Sequence, residues 1–511
     1  MRCWLVVPCL LAAVPVAAQQ PQDTMFALRP LATAGLSLAD ALGQARTRSP
    51  AYRQVLNNAG PARWGVRNAY GSFLPSLNVS GGVGYTGSGE SQFGLGGAFN
   101  QQTQPFLSSN YQIGLQWQLD GRVLAGPSQQ KALQRATGQD IEDAGVSLRA
   151  DITTQYLNVL AAVSQTEVAR EQVRRNNEFL RLARARNQVG QATVLDVRQA
   201  EATRATSEVT LLQAYQAENE AKLELFRRMG VPPPVSVQQI ELTDSFPVAP
   251  PTYSRDELIK LAEEQNPSLK ALKERETAAR ANVRAVRSDF FPRLTAQAGW
   301  TGFTQQFTND NQLLSQQLAS SLRLAAQCQF DNQIRNGLSL GGVNPDCFGS
   351  NGLDATGAAL SATTAQQIRD ANGAFPFNFT SQPFQAALTV SLPIFTGFSR
   401  HLQLAEARAQ QEDADESVRA QALLVRANVE GRYLALGTAY QAIGAQATGR
   451  DAAREQLRLA QDRYRVGLGS ALEVSDAQNA VQQAEGSYIT AVYEYHRAIT
   501  ALEAAVGRPL R

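Results

Sequence analysis

The sequence predicts an α+β membrane protein. It is internally duplicated, its long helices pair as coiled coils around an α-helical barrel, and its four strands are one share of a transmembrane β-barrel completed by trimerisation. Three observations carry this: the chain repeats itself, its helical stretches are too long for a compact domain, and its few strands alternate apolar with small polar residues.

The repeat is visible residue by residue. Pro50, Arg63, Val66, Arg67, Phe73, Pro75 and Leu77 return in order and at constant spacing as Pro267, Arg280, Val283, Arg284, Phe290, Pro292 and Leu294. Tyr156, Leu180, Arg186, Val189, Gly190, Leu195 and Gly230 return as Tyr433, Leu457, Arg463, Val466, Gly467, Leu472 and Gly507. The second copy carries its extra residues between Pro292 and Gly397. This gives a first repeat over 36–232, a proline-rich linker over 233–253 and a second repeat over 254–509. Duplicated long helices with a few strands suggest a symmetric shell rather than a single-site enzyme.

Residues 1–18 have the pattern of a secretory signal: Arg2, the short apolar run Leu5 to Val14, and the small-residue site Val16-Ala17-Ala18. That run is too short to span a bilayer, and no other stretch approaches ~20 apolar residues. Cys9 follows Pro8, a poor context for lipid attachment, so no acylated cysteine is expected. An exported chain of this kind enters a membrane only with strands.

Strands are expected near 76–88, 109–120, 293–303 and 384–395. Leu77, Val79, Val83 and Tyr85 alternate with Asn78, Ser80, Gly84 and Thr86, and Leu388 and Val390 alternate with Thr389 and Ser391. One apolar and one small polar face is the pattern of a membrane barrel with a watery interior. Four strands cannot close by themselves, and an open edge in lipid leaves backbone groups unpaired, so copies must join. Two copies give an interior filled by side chains, and three leave room for a lumen, which favours a homotrimer. The residues 304–382, rich in Gln, Asn, Ser and Gly, are expected as a long outer loop with one helix near Leu313 to Ala326.

Helical hairpins are expected over 124–229 and 398–506. Leu148, Ile152, Tyr156, Val159 and Val163 step by four, four, three and four along one face, and Val425, Val429, Tyr433, Leu436, Tyr440 and Ile443 match them. From Leu124 to Asn187 the helix would be roughly 95 Å long. Each hairpin turns at a glycine-bearing loop, with Thr193 and Ser470 as natural N-caps of the returning helices and Gly230 and Gly507 as their stops.

Net charge is +2 and charged residues make up 18%, so nothing points to nucleic acid as a partner. Past the signal only Cys328 and Cys347 remain, and in an oxidising compartment they can close one disulfide. The two histidines, His401 and His496, have no second ligand at metal spacing and are expected on helix surfaces. The stretch Gly82 to Gly87 formally matches a dinucleotide fingerprint, but it lies in a strand with no helix after it. No metal, no cofactor and no catalytic residue is expected. At the second tip Glu473 and Asp476 are three apart and share a helix face, where rotational symmetry would copy them into a ring of negative charge.

On this duplication and on two tip motifs, Val189-Gly190 through Asp196 and Arg463-Tyr464-Arg465-Val466-Gly467 through Asp476, the chain resembles the TolC family of outer-membrane efflux channels over about residues 36 to 509. The resemblance implies a homotrimer in the outer membrane that extends into the periplasm, closed at its tip until a periplasmic adaptor and an inner-membrane transporter engage it. It implies that Glu473 and Asp476 are the aperture carboxylates and that Asp196 and Tyr464 hold neighbouring coils shut. The tips around Val189, Gly190, Val466 and Gly467 would dock the adaptor. The sequence departs at Gly469, where the best-known member has an arginine, which implies a closed state tied differently. The alternative from another class is a secreted coiled-coil scaffold or adhesin without a pore, which explains the helices but not the four strands.

Overall fold

The computed structural model describes residues 35–91, 101–103, 105–232, 237–380 and 382–510. The expected signal segment with Cys9, and residues 233–236 of the expected linker, lie outside the described residues. In chain order the elements are α1 (Leu38–Arg48), α2 (Pro50–Asn57), α3 (Ala59–Gly71), β1 (Ser76–Thr86), β2 (Gly89–Ser91), β3 (Gln101–Thr103), β4 (Phe106–Leu119), α4 (Gly121–Gln188), α5 (Val194–Met229), α6 (Arg255–Gln265), α7 (Pro267–Arg287), β5 (Arg293–Phe307), α8 (Asn311–Gly337), α9 (Ala362–Asn372), β6 (Gln385–Ser391), α10 (Ser399–Arg465) and α11 (Ala471–Val506). The chain divides into two compact units, one of Met1–Trp64, Lys131–Ala279 and Gln410–Arg511, the other of Gly65–Gln130 and Arg280–Ala409.

The first unit holds most of both helical hairpins, α4 from Lys131 and α10 from Gln410 onward. Helix α4 has 68 residues and α10 has 67, while their returning partners α5 and α11 have 36 each. The duplication produces twin cores. In one, Ile152, Tyr156 and Val159 of α4 pack with Ala41 and Ala45 of α1 and with Leu225, Phe226 and Met229 of α5. In the other, Val425, Val429 and Leu436 of α10 pack with Leu258, Ile259 and Ala262 of α6 and with Tyr495, Ile499, Leu502 and Val506 of α11. A third core nearer the tips is rich in alanine (Ala183, Ala200, Ala453, Ala460, Ala471, Ala477), which lets helices approach closely.

The linker is pinned rather than loose. Leu242 pairs in parallel with Leu36, and the Tyr156 hydroxyl lies 2.8 Å from Leu36 O and 2.7 Å from Asp244 Oδ2. Burial and the Asp244 charge push the Tyr156 phenol well above its usual pKa, which keeps it neutral. The Tyr495 hydroxyl donates to Ala249 O. His496 corrects an expectation: it is 2% exposed, packed against Phe246 and Tyr495, because it lies between Tyr495 and Ile499 on the buried face of α11. His401 is exposed, as expected.

The second unit holds an antiparallel four-stranded sheet in the order β1-β4-β5-β6, with β1 and β6 as its edges. Ile113 of β4 stands opposite Val79 and Trp300, and Leu115 opposite Leu77 and Ala298. Side chains alternate faces along a strand. One face therefore carries Leu77, Val79, Val83, Trp300, Leu388 and Val390, all exposed. The other carries Asn78, Ser80, Gln112, Gln116, Gln297, Thr301 and Gln385. The short strands β2 and β3 pair antiparallel to each other. Ladder pairing carries β4 back to Phe106 and β5 out to Phe307, past the expected ends, while β6 stops at Ser391, two residues before Pro393, which has no amide to donate. Where strands give way to helices, Arg122 pairs with Asp289, Arg400 Nη1 donates to Asp289 O at 3.3 Å, and its guanidinium lies 5.0 Å from the Phe290 ring.

The stretch 304–382 is also corrected. Helix α8 runs on to Gly337 and α9 follows, so this is a folded insertion rather than a loop with one helix. Cys328 and Cys347 are joined by a disulfide with Cα atoms 5.7 Å apart. Asn332 ties the turn beside it, donating to Asn344 O at 2.7 Å and accepting from Asn344 N at 3.0 Å. The extension of α8 past Ala326 is polar and rests on these contacts, which its sequence pattern does not announce.

Candidate functional site

The two hairpin tips gather most of the sequence-predicted residues. At each, a glycine in the left-handed region turns the chain, Gly190 at φ 74° and Gly467 at φ 83°, where a side chain would be strained. The returning helices begin on the expected caps. The Thr193 hydroxyl accepts from Asp196 N at 3.2 Å, and Asp196 Oδ2 accepts from Thr193 N and Oγ1, both at 2.8 Å, closing a capping box. The Ser470 hydroxyl accepts from Glu473 N at 3.2 Å, with no return bond from the Glu473 carboxylate.

That carboxylate lies instead 3.8 Å from Arg463, with both side chains about half exposed. Asp476 is exposed on the same side of α11, while Val474, Ser475, Ala477 and Gln478 are buried. The predicted pair therefore shares a free face. Around the tips Val189, Val194, Leu195, Val466, Leu468 and Leu472 are all exposed, Leu468 to 75%. Six uncovered aliphatic side chains thus cluster at the ends of the two hairpins.

Tyr464 is the opposite case. It is 3% exposed, wedged into the alanine-rich core with the Phe179 ring 5.2 Å away. Burial raises its phenol pKa, the Asp196 charge raises it further, and the Arg186 charge opposes them. The charge of Asp196 is felt at Tyr464, while its carboxylate is bonded to Thr193. The Arg186 guanidinium lies over the Tyr464 ring, 4.7 Å from its centre, a residue that sequence pattern alone did not single out for this role.

A second missed cluster sits further up the hairpins. Glu485 of α11, 9% exposed, accepts from Arg454 Nε at 3.0 Å and Nη2 at 2.9 Å, and Arg175 of α4 lies 3.4 Å away. Its signal was readable in principle: an acid at the position that continues the buried stripe of Val474, Gln478 and Val481 needs a partner. Beside it an open groove of about 940 Å³ is lined by Thr438, Gln446, Gln483, Ser487, Thr490 and other small or amide side chains, with Glu494 the one charged residue among the described lining. Apart from Glu494 its wall is uncharged, with alanines between the amides and hydroxyls.

Among the described residues no cluster of His, Cys, Asp or Glu could hold a metal ion, and no helix is long and apolar enough to cross a membrane.

A family model described as outer membrane efflux protein matches residues 41–231 and 357–508. A toluene efflux pump outer membrane protein of Pseudomonas putida, TtgF, is 28% identical over 216 residues, 40% of this chain and 44% of that protein. The chain thus spans less than half the length of that curated relative. The outer membrane protein TolC of Vibrio cholerae is 23% identical over 272 residues, 52% of this chain and 58% of that one. Among solved structures, the Vibrio cholerae outer membrane protein VceC superposes with a TM-score of 0.64 at 16% identity, covering 93% of this chain and 97% of that one, a likeness of fold.

Proposed function

The chain belongs to the outer membrane efflux protein family, and we propose that it is an outer-membrane efflux channel extending into the periplasm, three copies of which assemble into one passive exit duct driven by other proteins. The observation that carries the assembly is the sheet: its edges β1 and β6 are unpaired, one face is apolar and exposed, and the other is lined by amides and hydroxyls. In outer-membrane lipid such edges must be closed, and β6 of one copy joined to β1 of the next makes twelve strands around a wet lumen.

The duct performs no turnover chemistry and uses no cofactor. An inner-membrane transporter supplies the energy, and a periplasmic adaptor docks on the exposed tips around Val189, Gly190, Val466 and Gly467. Asp196 and Tyr464 hold the tip closed. Glu473 and Asp476, repeated about the axis, form an acidic aperture that favours cations and is blocked by multivalent ones. The cargo is small molecules or polypeptides; the relative named for toluene efflux favours small molecules with little charge.

Fractionation and mild-detergent sizing test the assembly. The protein should sit in the outer membrane and run as a trimer; a water-soluble monomer without detergent would return the secreted scaffold or adhesin.

A further inference from the structure

Arg186 has neighbours in both tip loops and in α10. It lies in the last turn of α4, where its Nη2 donates to Gln191 O of the first loop at 3.2 Å. Its guanidinium plane covers the Tyr464 ring of α10. It also reaches the second loop, since a methyl group added at Gly467 would meet Arg186 Nη2 at 3.4 Å. The Nε and Nη1 atoms of Arg186 and the Tyr464 hydroxyl are buried with no hydrogen-bond partner in the chain. Gly469 meanwhile offers no side chain, and a Cβ there would already crowd Glu473 Oε2 and Tyr464 N at 3.1 Å.

We propose that Arg186 is the positioning residue of tip closure, a guanidinium clamped on Tyr464 that ties the two hairpins of one chain together. The inference rests on the reading of the tips as a gated aperture and adds the residue that holds Tyr464 in place. A last-turn cation is favourable at any helix C-terminus through the helix dipole, but that role asks only for charge. Stacking on a ring while donating sideways to a carbonyl asks for a planar fork, which lysine lacks.

The test is single-channel recording in planar bilayers on full-length protein that has first been shown to assemble. Arg186→Ala and the gentler Arg186→Gln should each raise open occupancy by about tenfold, the effect of losing one desolvated cation–π contact. Arg186→Lys should recover only part of the closure. In a Tyr464→Leu background Arg186→Ala should add almost nothing, whereas with Tyr464→Phe, which keeps the ring, it should still act. Two results overturn the clamp while leaving the gate standing: Arg186→Lys indistinguishable from the parent, which reduces Arg186 to a helix-end charge, or Arg186→Ala without effect while Tyr464→Phe with Asp196→Ala still opens the channel. If neither Arg186 nor the Tyr464 and Asp196 changes alter conductance, the gated tip itself is wrong.

Discussion

At the first tip Asp196 folds its carboxylate back onto Thr193, taking both the amide and the hydroxyl. At the second tip Glu473 gives only its amide to Ser470 and leaves its carboxylate at the surface near Arg463. Both acids occupy the third helical position after a hydroxyl cap, so the duplicated ancestor need not have distinguished them. Their carboxylates do differ: Asp196 returns to its own cap, whereas Glu473, a residue type that also can reach back, lies near Arg463 and is joined three residues on by the exposed Asp476. One copy of the motif is committed to holding a helix start, and the other leaves its carboxylate at the surface.

The largest expected consequence concerns ions. With Glu473→Ala and Asp476→Ala together, cation preference in planar bilayers should fall on the order of tenfold and block by multivalent cations should disappear, because a repeated acidic ring concentrates counter-ions in a narrow mouth. Asp196→Ala should leave selectivity nearly unchanged. Equal losses from the two tips would break the contrast, and unchanged selectivity in the double variant would remove the aperture role.

Next in size is conductance. Tyr464→Phe with Asp196→Ala removes a buried hydroxyl and the charge that acts on it, and mean conductance should rise a few-fold. No rise would place the closing contacts elsewhere.

The contrast can also be titrated. Because burial and Asp196 raise the Tyr464 pKa above its usual value of about 10, the packed tip favours the neutral phenol. The stabilisation is complete below pH ~10 and is lost as pH rises through the raised value. Conductance recorded against pH should therefore stay flat to about pH 10 and climb beyond it, with the climb absent in Tyr464→Phe. A climb that survives in the phenylalanine variant assigns the transition to another group.

How much of this was legible follows from where the information sits. Cap signals are local, so Thr193, Ser470, Gly230 and Gly507 all mark real helix ends. Alternation is local too, and it placed the apolar and polar faces of β1, β4, β5 and β6 before any pairing was known. What failed depended on contacts between distant residues. The tail of α8 rests on Asn332 and the cystine, His496 is buried by Phe246 of the linker, and Arg186 meets Tyr464 from the other half of the chain. No window of sequence contains both members of such a pair.

The smallest effect is the most direct probe of the two tips as folding elements. Thr193→Ala should cost the start of α5 about 1–2 kcal/mol, since it breaks both halves of a capping box, while Ser470→Ala removes a single acceptor and should cost α11 about 1 kcal/mol or less. Asp196→Ala should approach the Thr193→Ala loss. Glu473→Ala should cost only a few tenths, because its contact with Arg463 is exposed to water and such ion pairs contribute little. Hydrogen exchange at the first-turn amides of α5 and α11 reads these differences separately in the same molecule. The order Thr193→Ala, then Ser470→Ala, then Glu473→Ala supports one structural and one exposed carboxylate. If Glu473→Ala loosens α11 as much as Asp196→Ala loosens α5, the Glu473 side chain returns to its cap in solution, and the acidic aperture must then rest on Asp476 alone.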